Sequence, residues 1–204
     1  MRRTPQQFKR KEVKDVIKKV LGDSMTRLAP ISISVSESLD DDFTTTDFSF
    51  EITGHDPKII SLKNQKGKGF VDGLFTGLHK HFKHDYGSLK KIRLADYNVN
   101  PIMVNSKKSM GTDAQASVLI SVLVANHGIA EFVHTSRSMI YSSFVASLES
   151  FQFYVNCERA FHRIQLFIDD AQQRNRGDLI SNCVYDLSKL TEVNNYARKR
   201  EKTN

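Results

Sequence analysis

The residue pattern predicts an α+β fold: two βββα units packed around a pseudo-twofold axis, with an extra N-terminal amphipathic helix and C-terminal helices. Two observations carry this. Apolar residues alternate at period two through three short runs from Ile31 to Leu62, then repeat at i, i+3, i+4, i+7 and i+11 from Val71 to Phe82. The same succession of alternating runs and one helical stripe returns between Ile92 and Val155. One three-stranded sheet with one helix cannot cover both of its faces, so two such units are expected to pack together, with their shared interior as the place for a ligand.

The first element is read from Phe8, Val13, Val16, Ile17, Val20 and Leu21, which recur at helical spacing between Pro5 near the start and Gly22 past the end. A basic amphipathic helix of this kind packs its stripe on its own domain or a partner subunit, or lies on a membrane or nucleic acid. Strands follow at Ile31-Ile33-Val35, Phe48-Phe50-Ile52 and Ile60-Leu62, with turns at Asp40–Asp42 and Gly54–Pro57. The glycine-bearing link Gln65-Lys66-Gly67-Lys68-Gly69 leads into the Val71–Phe82 helix. Alternating stretches at Ile92–Val104, Ala116–Val124 and Ala130–His134 give three more strands, and Ile140, Phe144, Leu148, Phe151 and Val155 the second helix. After Asn156 the stripe of Phe161, Ile164, Ile168 and Ala171 predicts a third helix, and Ile180–Tyr196 a shorter one. The organisation expected is a basic helix and linker over 1–30, a (βββα)₂ core over 31–156, and a helical extension with a basic tail over 157–204.

Hydrophobic residues at 39% and charged residues at 26% are ordinary for a folded domain. The longest apolar run, Ala116 to Asn126, falls short of the ~20 residues a membrane span needs. Two cysteines, Cys157 and Cys183, are too few for a disulfide framework or a structural zinc site, and the expected compartment is the cytoplasm. The net charge of +7 is concentrated at the ends: residues 1–21 hold +6 and the last eight +3, leaving −2 on the body. That distribution argues against a phosphate-binding surface on the folded part, so nucleic acid is not an expected partner.

Three segments carry a family resemblance. They are Gly67-Lys68-Gly69-Phe70-Val71-Asp72-Gly73-Leu74-Phe75, Leu94-Ala95-Asp96-Tyr97-Asn98-Val99 and Gly111-Thr112-Asp113-Ala114-Gln115-Ala116-Ser117-Val118. In order and spacing they resemble the allosteric domain that ends 2-isopropylmalate, citramalate and homocitrate synthases, over roughly residues 31–156. The resemblance implies a dimerising regulatory domain of leucine biosynthesis that binds leucine or isoleucine between its two units. Nothing in the chain resembles the catalytic barrel of those enzymes, so the expectation is a free-standing, non-catalytic module without cofactor, metal or catalytic residues. Its expected partners are a second copy, a small carboxylate and a separate catalytic subunit. Lys68 and Phe70 depart from the family's Asn and Pro, and Thr135–Tyr141 lacks its Gly-Val and acidic residue.

Gly67 and Gly69 sit where a strand turns into a helix, where backbone amides can meet a carboxylate; the plainer role is a tight turn. By family position Val71 and Asp72 touch the ligand, although Asp72 also suits the helix dipole. Asp96 is a candidate partner for an ammonium group and Tyr97 a candidate pocket wall; a hydrogen-bonded sheet pair is the plainer account. By family position Ala114 and Ile140 would be apolar walls of the same pocket, or both are simply core. The third glycine of Gly67-x-Gly69-x-x-x-Gly73 comes one place late for a dinucleotide fingerprint. His79, His81 and His84 do not share one helix face with a further ligand, and Ser138, His134 and Asp113 carry no specific triad spacing. The alternative function is a structural or interaction module, for protein or nucleic acid, whose ancestral pocket is filled by Phe70 and Tyr141.

Overall fold

Helix, three strands, helix and three strands follow one another in the order the residue pattern predicts, and two helices rather than three end the described chain. The computed structural model describes residues 5–38, 40, 42–54, 57–102 and 115–197. Helix α1 (Pro5–Leu21) leads into the antiparallel meander β1 (Arg27–Glu37), β2 (Thr44–Thr53) and β3 (Lys58–Gly67), closed by α2 (Phe70–Phe82). The second unit repeats this with β4 (Ile92–Ile102), β5 (Gln115–Val124), β6 (Gly128–Ser136) and α3 (Met139–Gln173), and α4 (Gly177–Thr191) ends the described chain. Among the described residues no helix is long and apolar enough to cross a membrane.

Period-two alternation gives each sheet one buried face. Phe48 and Phe50 on β2 and Val118, Ile120, Val122 and Val124 on β5 are fully buried. The units join through rings on their helices: Phe75 lies 4.9 Å and Phe82 6.0 Å from Phe151 of α3, while Phe48 meets Phe144 at 5.5 Å. Strand β1 departs from strict alternation. Pro30 has no amide to pair, and the ladder slips between Pro30 and Ser32, so Ile31 bulges outward and is 52% exposed. Leu28, before the slip, takes the buried place.

Helix α1 packs its stripe on the chain's own body. Val13, Val16, Ile17 and Leu21 are buried in the common core, where α1 meets α3, α4 and β6. At roughly 1.5–3 kcal/mol per buried side chain, this stripe outweighs the surface ion pairs Lys19–Asp186 (2.7 Å) and Glu12–Lys189 (2.8 Å) that flank it. The Arg10 guanidinium stacks 4.6 Å above the Phe132 ring, and burial there holds it below its usual range.

Helix α3 corrects the expectation of two separate helices. It runs without a break for 35 residues, roughly 52 Å, so residue 156 lies inside it. Asn156-Cys157-Glu158 contains neither proline nor glycine, and its polar side chains bond to neighbouring backbone instead of interrupting the helix. Asn156 Oδ1 accepts from Thr26 N (2.9 Å), and Asn156 Nδ2 donates to Thr26 O (2.8 Å). One turn earlier Gln152 Oε1 accepts from Leu28 N (2.8 Å), and one turn later Arg159 donates to Thr26 Oγ1. Spacing i, i+4, i+7 places the three side chains on one helix face, against the free edge of β1. The buried Glu158 carboxylate accepts from the amides of Gly87 (3.1 Å) and Ser88 (2.9 Å) and from the Ser88 hydroxyl (2.6 Å). It thereby caps the 3₁₀ turn Gly87–Lys91 that starts the second unit.

Removing the Asn156 amide strands one buried donor and one acceptor at once, each worth about 1–3 kcal/mol. Asn156→Ala is therefore expected to lose about 2–4 kcal/mol in urea denaturation, and Gln152→Ala, which strands one less buried amide, about 1 kcal/mol. Equal and negligible losses would contradict this account of the edge.

Candidate functional site

The candidate residues of the first unit gather where β3 runs into α2, with only Lys68 and Gly69 between them. The two glycines have different roles. A Cβ on Gly67 would overlap the backbone of Asp72 and Gly73 in the first turn of α2. Gly67 is thus a packing glycine, continued on the helix by Gly73 and Gly77, whose absent side chains let Gln65, Thr46 and Phe48 approach. Gly69 precedes the helix in extended conformation and a Cβ there would meet nothing within 4 Å.

The amides of Phe70, Val71 and Asp72 open the helix without a carbonyl four residues back, as at any helix start. Asp72 Oδ2 accepts from Lys68 N (3.0 Å), so its exposed carboxylate folds back to secure the entry to the helix. Val71 is buried in the core.

The sheet separates Asp96 from Tyr97. In the register of β4 on β5, Asp96 pairs with Ser121 and Tyr97 with the buried Ile120, so the two side chains leave opposite faces. Asp96 is exposed, and its Oδ1 accepts from Tyr97 N (2.9 Å). Tyr97 points inward and touches both helix starts. Its ring stands edge-on to Phe70 at 6.2 Å, and its hydroxyl lies 3.0 Å from Ser143 Oγ in α3. Ser143 itself donates to Met139 O (2.8 Å), so the phenol is the donor in the pair.

Around the start of α3 the hydroxyls are linked. Ser138 Oγ accepts from Tyr141 N (3.2 Å) as the helix cap, Ser136 Oγ donates to Ser138 O (2.9 Å), and Ser142 Oγ lies 2.8 Å from Ser136 Oγ and 3.4 Å from His134 Nδ1. Tyr141 stacks edge-on against His134 at 5.6 Å, and Ile140 is exposed in the first turn. Ala114, Asp113 and the rest of that predicted strand entry lie outside the described residues.

The structure therefore brings Gly69, Phe70, Tyr97 and the first turn of α3 into one neighbourhood. It turns Asp96 away, and it gives Gly67 and Val71 to packing. Sequence reasoning passed over the serines: Ser142, Ser143, Ser147 and Ser150 are all fully buried on α3. Their repetition among the apolar positions of the helix's first half was the available signal.

A cavity of about 250 Å³ opens at the other end of α2, lined by Thr26, Lys58, Phe82 and Arg159 among others. A smaller one of about 40 Å³ lies beside Arg10 and Tyr154. His79 and His81 make local contacts, His79 Nε2 with Leu89 O (3.0 Å) and His81 with the Phe50 and Phe82 rings. No protein-family model and no curated protein matches the chain.

The glycines give a paired prediction. Gly67→Ala must push α2 off the sheet and is expected to cost about 3 kcal/mol, with a matching fall in the denaturation midpoint. Gly69→Ala has room and an ordinary φ, and is expected to cost no more than about 1 kcal/mol. Equal costs would contradict the division of roles.

Proposed function

We propose that the chain is a non-catalytic regulatory module that binds a small carboxylate, such as a branched-chain amino acid, and forms a homodimer. This is the role implied by its resemblance to the allosteric domain of 2-isopropylmalate synthases. The observation that carries the reading is the position of Tyr97. A residue singled out by motif lies between the first turns of α2 and α3, one reached through Phe70 and the other through Ser143. Two helix starts supply amide donors and positive ends of helix dipoles for a carboxylate, and Tyr97 supplies an amphipathic wall.

Self-association is supported by the outer face of the second sheet. Cross-strand pairs Leu119–Val133 and Leu123–Ile129 lie there, with Leu123, Ile129 and Val133 exposed. The polar row Asp96–Ser121–Glu131 runs between the two pairs, so the face is mixed, with exposed apolar side chains on either side of a charged stripe, as protein interfaces often are.

A second reading has its own observation. Phe70 stands where the related domains carry proline, and its ring lies against Tyr97, occupying the space beside the helix start. On that reading the pocket is filled and the fold serves assembly alone.

Thermal unfolding with leucine and with 4-methyl-2-oxopentanoate, run on the wild type, on Arg159→Gln and on Phe70→Pro, separates the two. Proline suits the first helical position, so the last variant is expected to fold. A ligand at a hundred times its Kd adds about 2.7 kcal/mol, or roughly 5–10 °C in Tm for a chain of this size. A wild-type shift that Arg159→Gln leaves in place supports the regulatory module at the helix starts, and a shift only in Phe70→Pro supports the filled pocket. No shift in either overturns ligand binding at this site. Light scattering on the same samples reads the dimer.

A further inference from the structure

The cavity at the far end of α2 is built unlike the helix-start site. Its wall is made of Thr26 before β1, Ile52 and Thr53 at the end of β2, Lys58 at the start of β3, His81, Phe82, Asp85 and Tyr86 around the end of α2, and Arg159 of α3. Thirteen residues of helix, roughly 20 Å, separate it from Gly69 and Phe70.

Arg159 is the central group. One guanidinium nitrogen is fixed on Thr26 Oγ1, and Thr26 is itself clamped by Asn156 through both of its backbone polar groups. The side chain is thus held in place while most of its five N–H donors remain for another partner. Among the described residues Arg159 forms no ion pair; the neighbouring Glu158 is engaged by Gly87, Ser88 and His162. Lys58 forms none either and lies close enough to His81 to oppose its protonation, which burial disfavours first. With His81 neutral, Arg159 and Lys58 outweigh Asp85, and the wall carries a net positive charge. Ile52 and Phe82 add apolar surface beside these charges. A volume of about 250 Å³ suits a compact metabolite rather than a nucleotide or peptide.

We propose that this cleft is a second ligand site, which takes a short aliphatic carboxylate with its charged end on Arg159 and Lys58 and its carbon chain on Ile52 and Phe82. A planar guanidinium fork matches a carboxylate in two parallel hydrogen bonds, and fixing it on Thr26 removes much of the entropy cost of engaging it. Because Thr26, Asn156 and Arg159 form one bonded set, an occupied cleft also ties β1 more firmly to α3.

The test is calorimetric titration of the full chain with 4-methyl-2-oxopentanoate and, separately, with inorganic phosphate. Wild type, Arg159→Gln, Lys58→Gln and Tyr97→Phe are compared. Lys58 is exposed, so its variant keeps the fold even if Arg159→Gln loses its anchor on Thr26. The site predicts a carboxylate-binding step that is weakened about tenfold by Arg159→Gln and severalfold by Lys58→Gln, and that persists in Tyr97→Phe whatever happens at the helix starts. Binding that is lost with Tyr97→Phe but not with the two cationic variants belongs to the helix starts and overturns the proposal. So do phosphate binding of equal strength, equal affinity in all four proteins, and no binding in the wild type.

Discussion

The start of the free edge of β1, at Thr26 and Leu28, is closed by side chains of α3, a helix that belongs by sequence order to the other sheet. Gln152, Asn156 and Arg159 take the amides of Leu28 and Thr26, the carbonyl of Thr26 and its hydroxyl. An exposed strand edge leaves a row of unmet donors and acceptors, and meeting them from a helix both protects the edge and fixes the helix along it. Much else follows from that placement. With α3 held there, Phe144 and Phe151 reach Phe48, Phe75 and Phe82, Glu158 reaches the turn that starts the second unit, and α1 finds a surface for its apolar stripe. The two units share one core because a single helix serves both.

That arrangement also sets where chemistry is available. The start of α3 stands with the start of α2 around Tyr97, and the middle of α3 delivers Arg159 to the cleft at the end of α2. The first neighbourhood is rich in hydroxyls and amides and partly occupied by Phe70; the second is open and positively charged. A ligand that bound either place would act on contacts between the units, which is the physical requirement for a regulatory response.

Much of the fold was legible because it rests on periodicity. The alternation of Phe48, Phe50 and Ile52 and the stripe from Val71 to Phe82 determine sheet and helix without reference to anything distant. What was not legible depended on partners far along the chain. Asn156 and Glu158 look like a helix break until Thr26 and Ser88 are seen to receive them, some 130 and 70 residues away. Ile31 fits the alternation but follows Pro30, whose missing amide shifts the register. At the candidate site, motif spacing singled out Tyr97 and both glycines but could not distinguish a glycine that packs from one that leaves a space. Alternation along β4 implies that Asp96 and Tyr97 leave opposite faces, but not which of the two points inward. Arg159 carried no motif and was found only through the cleft it lines.

Native-state hydrogen exchange at the amides of Thr26 and Leu28 tests most directly whether α3 closes this edge. If Gln152 and Asn156 hold them, both exchange as slowly as amides in the middle of β2 and β5, through global unfolding. Exchange of these two amides at the rate of a freely solvated strand edge, with β2 and β5 still protected, would contradict the account.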